Sequence, residues 1–207
     1  MPISRRLLRF LRRVTVGSLA KAFLRQHGIS YGTGLVMNSF PACWRDHGAR
    51  IQLGSNVTIK NKLRENMAGI AHRTVLVAVG TGQLVIGNKV GISGAILYSE
   101  CKITIEDYVN IGVGVKIYDT DFHPIDFMAR RADDLSLNKS APVRICQDVW
   151  LGAESMILKG VTVGARSIVA ARAVVVKDVP EDCVVAGVPA KIVAHLPTGS
   201  ALSNEDK

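Results

Sequence analysis

The chain has 207 residues, of which 48% are hydrophobic and 21% charged, and its formal net charge is +9. Those proportions exclude wholesale disorder, and with no run of 18 apolar residues they exclude a conventional membrane-spanning helix. The charge is uneven: residues 1–30 hold Arg5, Arg6, Arg9, Arg12, Arg13, Lys21 and Arg25 and no acidic residue, so the rest of the chain is close to neutral. No nucleic-acid-binding motif accompanies the basic stretch, and nucleic acid is not an expected partner.

In chain order, residues 1–30 form a basic N-terminal segment. Leu7, Leu8, Phe10, Leu11 and Val14 alternate with arginines in an amphipathic helical pattern, too rich in charge for a signal-peptide core. Two readings are open: a helix lying on an anionic membrane through residues 1–28, or a helix packed on a neighbouring subunit. From residue 31 to 195 a single β domain is predicted. A six-residue spacing of aliphatic residues is glimpsed at Leu53 and Ile59, with Val57 between, and is interrupted over 61–83. It resumes at Ile86, Ile92 and Tyr98, takes one extra residue, and continues at Ile105, Ile111 and Ile117, with Val90, Ile96, Ile103, Val109 and Val115 as companions. After an excursion over 118–144 it becomes strict. Ile145, Leu151, Ile157, Val163, Val169 and Val175 recur every sixth position, each followed four residues later by a small or β-branched residue. Residues 196–207 read as a flexible tail.

A period of six fits neither an amphipathic helix nor an alternating strand. It fits a triangular coil in which each hexapeptide is one side and eighteen residues close one turn. Such a coil cannot bury its aliphatic residues alone; stacking on its neighbours makes the core. A parallel β-helix is the predicted fold, mostly β, with a protruding loop. The scattered Cys43, Cys101, Cys146 and Cys183 contain no Cys-x-x-Cys pair, so neither a disulfide framework nor a zinc ribbon is expected, and a reducing cytoplasm fits.

The excursion is where chemistry is expected, because long loops in compact repeat folds usually carry function. It contains His123 beside Pro124, flanked by Asp119, Asp121 and Asp126. An imidazole titrates near neutrality and suits a general base, and a carboxylate or carbonyl beside it would fix its tautomer. The same residues also describe a solvated loop histidine. His27, His47, His72 and His195 are dispersed, so no metal site is expected.

The repeats, together with Asp119-Thr120-Asp121-Phe122-His123-Pro124, Asp148-Val149-Trp150-Leu151-Gly152, Lys177-Asp178-Val179-Pro180 and Ala186-Gly187-Val188-Pro189-Ala190-Lys191, resemble the hexapeptide-repeat acyltransferases. Within that family the motifs are most similar to the maltose, galactoside and nodulation-factor O-acetyltransferase branch. The resemblance spans about residues 50–195. It implies a left-handed β-helix, a homotrimer with active sites between subunits, and direct transfer from acetyl-CoA to a carbohydrate hydroxyl, as in surface-polysaccharide biosynthesis, with His123 as base. It further implies coenzyme contacts at Trp150, Ala153, Ala171, Lys177 and Lys191. Ser99 and Asp121 are expected nearest the acceptor, with Glu100 as the neighbour of Ser99. The chain departs from the family pattern at Arg172, Val176 and Ala194, and the family's acceptor-binding asparagine has no clear counterpart. A serine or amino-sugar N-acyltransferase and an inactive β-helix binding subunit are the alternatives. The expected location is the cytoplasm, including the inner face of the membrane.

Overall fold

The computed structural model describes residues 17–62, 66 and 68–197. Residues 17–26 are helical (α1), and almost everything after them is strand and corner. Three sheets form the sides of a triangular prism. The first is built from Ser30–Tyr31, Arg50–Leu53, Gln83–Ile86, Lys102–Ile105, Val143–Ile145 and Thr162–Val163. The second holds Val36–Met37, Thr58–Lys60, Gly91–Ser93, Asn110–Ile111, Trp150–Leu151, Ile168–Val169, Cys183–Ala186 and Lys191–His195. The third holds Ala42–Arg45, Val75–Ala78, Ile96–Ser99, Lys116–Tyr118, Met156–Ile157 and Val174–Val175. The chain visits the sheets in the order first, second, third, coil after coil. Neighbouring strands pair in parallel except the last two of the second sheet, which are antiparallel.

The strict repeat is the reason for this shape. Ile145, Leu151, Ile157, Val163, Val169 and Val175 all point inward and are at most 1% exposed, and their companions, Val149 to Val179, are buried as well. Removing each Leu, Ile or Val side chain from water stabilises by about 1.5–3 kcal/mol, an amount the coil collects only when stacked. Turning is done by residues in left-handed backbone conformation. At the corner between first and second sheets, Asn56, Lys89, Tyr108, Asp148, Arg166 and Asp182 have φ between 55° and 61°. Their N–H groups bond to the coil below, as in Tyr108 N to Asn88 O (2.9 Å) and Arg166 N to Gln147 O (2.9 Å), so hydrogen bonding continues around the bend.

One register expectation is corrected. Leu97, not Tyr98, faces the core at 0% exposure, and Ala95 rather than Ile96 is the buried companion that follows Ile92. Leu97 lies in register with Leu76 and Ile117, both fully buried, and Gly94, at φ 53°, makes the preceding corner one residue shorter. Tyr98 is thereby left on the outer face. The interruption over 61–83 also contains regular structure: Val75–Ala78 is a full strand of the third sheet.

The first coil is covered by α1. Ala20 and Leu24 are wholly buried in the common core, and the Phe23 ring packs edge-on against Phe40 at 5.5 Å. Arg45 pins the junction by donating to the carbonyls of His27 (3.0 Å) and Ala49 (2.9 Å). Neither reading of the N-terminal segment anticipated this: the 17–26 part packs on its own chain. Leu7, Leu8, Phe10, Leu11 and the arginines around them lie outside the described residues. Among the described residues no helix is long and apolar enough to cross a membrane.

Candidate active site

The long loop leaves the third sheet after Tyr118 and rejoins the first at Val143, at the corner between those sheets. Its root is held by Asp119, which is buried and accepts from Ser99 Oγ (2.7 Å), Glu100 N (2.7 Å) and Cys101 N (3.0 Å) of the coil below. Burial pushes the Asp119 carboxyl above its ordinary range, although the three donors pull the other way. The two stems then pair. Asp121 N donates to Lys139 O (3.1 Å), Ala141 N to Asp119 O (2.8 Å), and Thr120 bridges Ser140. Glu100 ties the bundle together, its Oε2 accepting from Thr120 Oγ1 (2.6 Å), Asn138 Nδ2 (3.0 Å) and Ser140 Oγ (3.0 Å).

Phe122 follows in left-handed conformation (φ 63°), which a bulky residue adopts only when its surroundings impose it. Its N–H donates to Thr120 Oγ1 (3.2 Å), and its ring lies 4.8 Å from that of Tyr98 and 5.1 Å from that of Tyr118. The outward Tyr98 thus serves as a wall for the loop. His123, the next residue, is exposed, while Pro124 is buried and its carbonyl accepts from Arg130 (2.8 Å). The loop continues into a short helix, Phe127–Arg131 (α2), capped by Asp126, whose Oδ1 accepts from Ala129 N (2.8 Å). Each flanking carboxylate is therefore engaged elsewhere: Asp119 with the coil below, Asp126 with α2, and Asp121 with Lys159 at 3.2 Å. A carboxylate or carbonyl was expected to orient His123, and these three carboxylates have the partners named instead.

The expected site residues fall into two groups. Ser99, Asp121, His123 and Lys177 share the corner between third and first sheets, Lys177 standing two coils beyond the loop root. Ser99 has no exposed surface and spends its hydroxyl on Asp119; Glu100, its neighbour, reaches the loop. Trp150 stands outward on the second sheet, 54% exposed, and Lys191 lies on the last strand of that sheet. Ala153 and Ala171 are exposed at the corner between second and third sheets, where Arg172 pairs with Glu154 at 2.6 Å. In a triangular prism the His123 corner lies across from the second sheet, so one chain keeps the groups apart. The support of Phe122 by Tyr98 and the clamp of Glu100 were not foreseen in the sequence, because these partners are 20 to 40 residues apart.

The four cysteines are free, and burial pushes the Cys43 thiol up to about 12 and raises that of Cys146, which disfavours the thiolate a nucleophile needs. Among the described residues no group of three or more His, Cys, Asp and Glu side chains could hold a metal ion.

Residues 142–177 match the model of the bacterial transferase hexapeptide (six repeats). Over these later coils the chain is similar to the hexapeptide-repeat transferases. YJL218W of Saccharomyces cerevisiae is 40% identical over 101 residues, 49% of this chain and 50% of that one. Galactoside O-acetyltransferase of Escherichia coli K12 is 34% identical over 94 residues, 45% of this chain and 44% of that one. The chain thus spans about half the length of the curated relatives it matches. The crystal structure of the hexapeptide-repeat-containing acetyltransferase VCA0836 from Vibrio cholerae, complexed with acetyl coenzyme A, superposes with a TM-score of 0.58 at 26% identity, covering 90% of this chain and 88% of that one. Parallel sheets in register and this likeness make the fold the left-handed β-helix of hexapeptide-repeat proteins. Its coils begin at Ser30, well ahead of the segment the family model matches.

Proposed function

We propose that the protein is an acetyl-CoA-dependent O-acetyltransferase that acts on a carbohydrate hydroxyl, with His123 as general base. The observation that carries this reading is an exposed imidazole presented by a strained, aromatic-walled turn on a loop anchored at Asp119 and Glu100. Likeness to part of a galactoside O-acetyltransferase supports the hydroxyl acceptor, and likeness to VCA0836 supports the donor.

In the proposed reaction the acceptor oxygen attacks the thioester carbonyl while the imidazole of His123 takes its proton. Collapse of the tetrahedral intermediate breaks the carbon–sulfur bond, and the imidazolium returns the proton to the departing thiolate. No acyl-enzyme is needed, in keeping with the raised Cys43 and Cys146 thiols. Ala153 and Ala171, small and exposed, leave the corner backbone open to the amide-rich pantetheine arm, and Trp150 stands within the same coils. Lys177 and Lys191 supply ammonium groups for the coenzyme's phosphates.

Because the His123 corner lies across from the second sheet, the reading requires a second copy, and we take the assembly to be a homotrimer. The loop of one copy then meets the second sheet of its neighbour. Ile125, Phe127 and Met128 of that loop are 71%, 54% and 57% exposed, more apolar surface than a free loop ordinarily shows water. A thiol-release assay with acetyl-CoA tests the reading. A sugar that offers only hydroxyl acceptors should release coenzyme A, with ester formation on the sugar. Release with amino sugars or serine alone, through amide formation, would contradict it.

A further inference from the structure

The outward positions of the second sheet form one row in register across six coils: Val36, Thr58, Gly91, Asn110, Trp150 and Ile168. Gly91 is the one member of that row without a side chain. A Cβ there would stand 3.2 Å from Asn110 Oδ1, so the position is a dent that any side chain would crowd. Around it lies a shallow groove of about 380 Å³ running from Thr58 and Lys60 to Trp150.

The chemistry of the groove is specific. Trp150 closes one end with more than half its surface in water. Thr58, Ser93 and Asn110 supply hydroxyl and amide groups along the floor. Lys60 and Lys89 flank the dent from opposite edges of the sheet, and Lys89 is held in place, its Nζ donating to Tyr108 Oη (3.0 Å) and lying 4.7 Å from that ring's centroid. Among the described lining residues there is no Asp or Glu. Asp107, beside Lys89, is occupied by Asn88, whose N–H (2.7 Å) and side-chain amide (3.0 Å) both donate to it. An aromatic face takes the C–H face of a sugar ring, neutral polar groups take its hydroxyls, and two ammonium groups on a lining free of Asp and Glu, with Asp107 behind Lys89 turned to Asn88, favour an anion.

We propose that this groove is the acceptor subsite and that it selects a saccharide bearing an anionic group, a carboxylate or a phosphate. The inference rests on the reading of the protein as a carbohydrate O-acetyltransferase and names the acceptor class. The sugar lies with its ring toward Trp150, nearest the coils of Ala153 and Ala171, and its charge between Lys60 and Lys89.

The two tryptophans allow a binding test that does not need turnover. In a Trp44→Phe background Trp150 is the sole indole, and its fluorescence is titrated with trigalacturonate, glucose 6-phosphate and their neutral twins galactotriose and glucose. An anionic ligand should bind at least about tenfold more tightly than its twin at low salt, the scale of a modest electrostatic selection. Lys60→Met and Lys89→Met should each remove most of that preference. Whichever of the uronate and the phosphate gains more identifies the charge. Equal binding of charged and neutral twins, or selectivity untouched by both lysine changes, overturns the proposal. Efficient acetylation of neutral and charged sugars alike would also overturn it while leaving the O-acetyltransferase reading intact. Selective binding in a protein that acetylates nothing would sustain the subsite and reject that reading.

Discussion

The proposed base, His123, follows a turn whose backbone is held by its surroundings. Phe122 is held at φ 63° by two tyrosine rings and by the Thr120 hydroxyl, which sets the point on the loop from which the His123 side chain departs. His123→Ala should lower acetyl transfer by at least about a hundredfold, the usual scale for a lost general base, with little change in acetyl-CoA affinity by calorimetry. Undiminished turnover would make His123 a bystander. Lys177→Ala and Lys191→Ala should weaken binding of coenzyme A more than that of dephospho-coenzyme A, because an ammonium group at the ribose phosphate has no counterpart charge in the second ligand; equal losses would place both lysines elsewhere. His123 stands out in the sequence because a short motif carries it. Glu100 was visible only as a neighbour of Ser99, since its three hydroxyl and amide donors come from Thr120, Asn138 and Ser140 and no local spacing announces such a clamp.

The loop is a separate element whose attachment depends on one buried carboxylate. Asp119→Ala leaves the Ser99 hydroxyl and the Glu100 and Cys101 N–H groups without their acceptor, and each buried orphan costs about 1–3 kcal/mol. Partial rescue by water considered, we expect a loss of about 2–4 kcal/mol in chemical denaturation, with a fall in turnover as the loop loosens. A change within experimental error would mean that the loop is held elsewhere. The strict repeat over 145–175 was readable because every inward position is aliphatic and every corner is the same length. Upstream, Gly94 shortens one corner, and Tyr98 took the place of Leu97 in the pattern although the pairing with Leu76 and Ile117 decides which faces in. The amphipathic pattern was read over Leu7 to Val14, ahead of α1, and such a pattern shows that a face seeks burial, not what buries it. Removing residues 1–16 should leave thermal stability nearly unchanged, because Ala20 and Leu24 still cover the first coil. Removing residues 1–28 should lower it clearly by exposing that core. Vesicle co-sedimentation of the full chain and the shorter truncation then assigns any membrane binding to residues 1–16.

At the scale of the whole molecule, the triangular section sets the functional problem. A left-handed coil of three sides puts His123 and Lys177 on one corner and Trp150 and Lys191 on the opposite sheet, so the proposed chemistry needs a neighbour. The prism was legible in the sequence, whereas the separation of the two groups was not, because a six-residue period fixes which residues face inward but not which corner each meets. Subunit complementation tests the shared site most directly. His123→Ala and Trp150→Ala chains, each inactive alone, are co-expressed with different tags and purified through both. A mixed trimer contains an interface with an intact His123 loop facing an intact second sheet, and the account predicts that acetyl transfer returns to a substantial fraction of the wild-type rate. Mixed trimers as inactive as either parent, or a fully active monomer by light scattering, would contradict it.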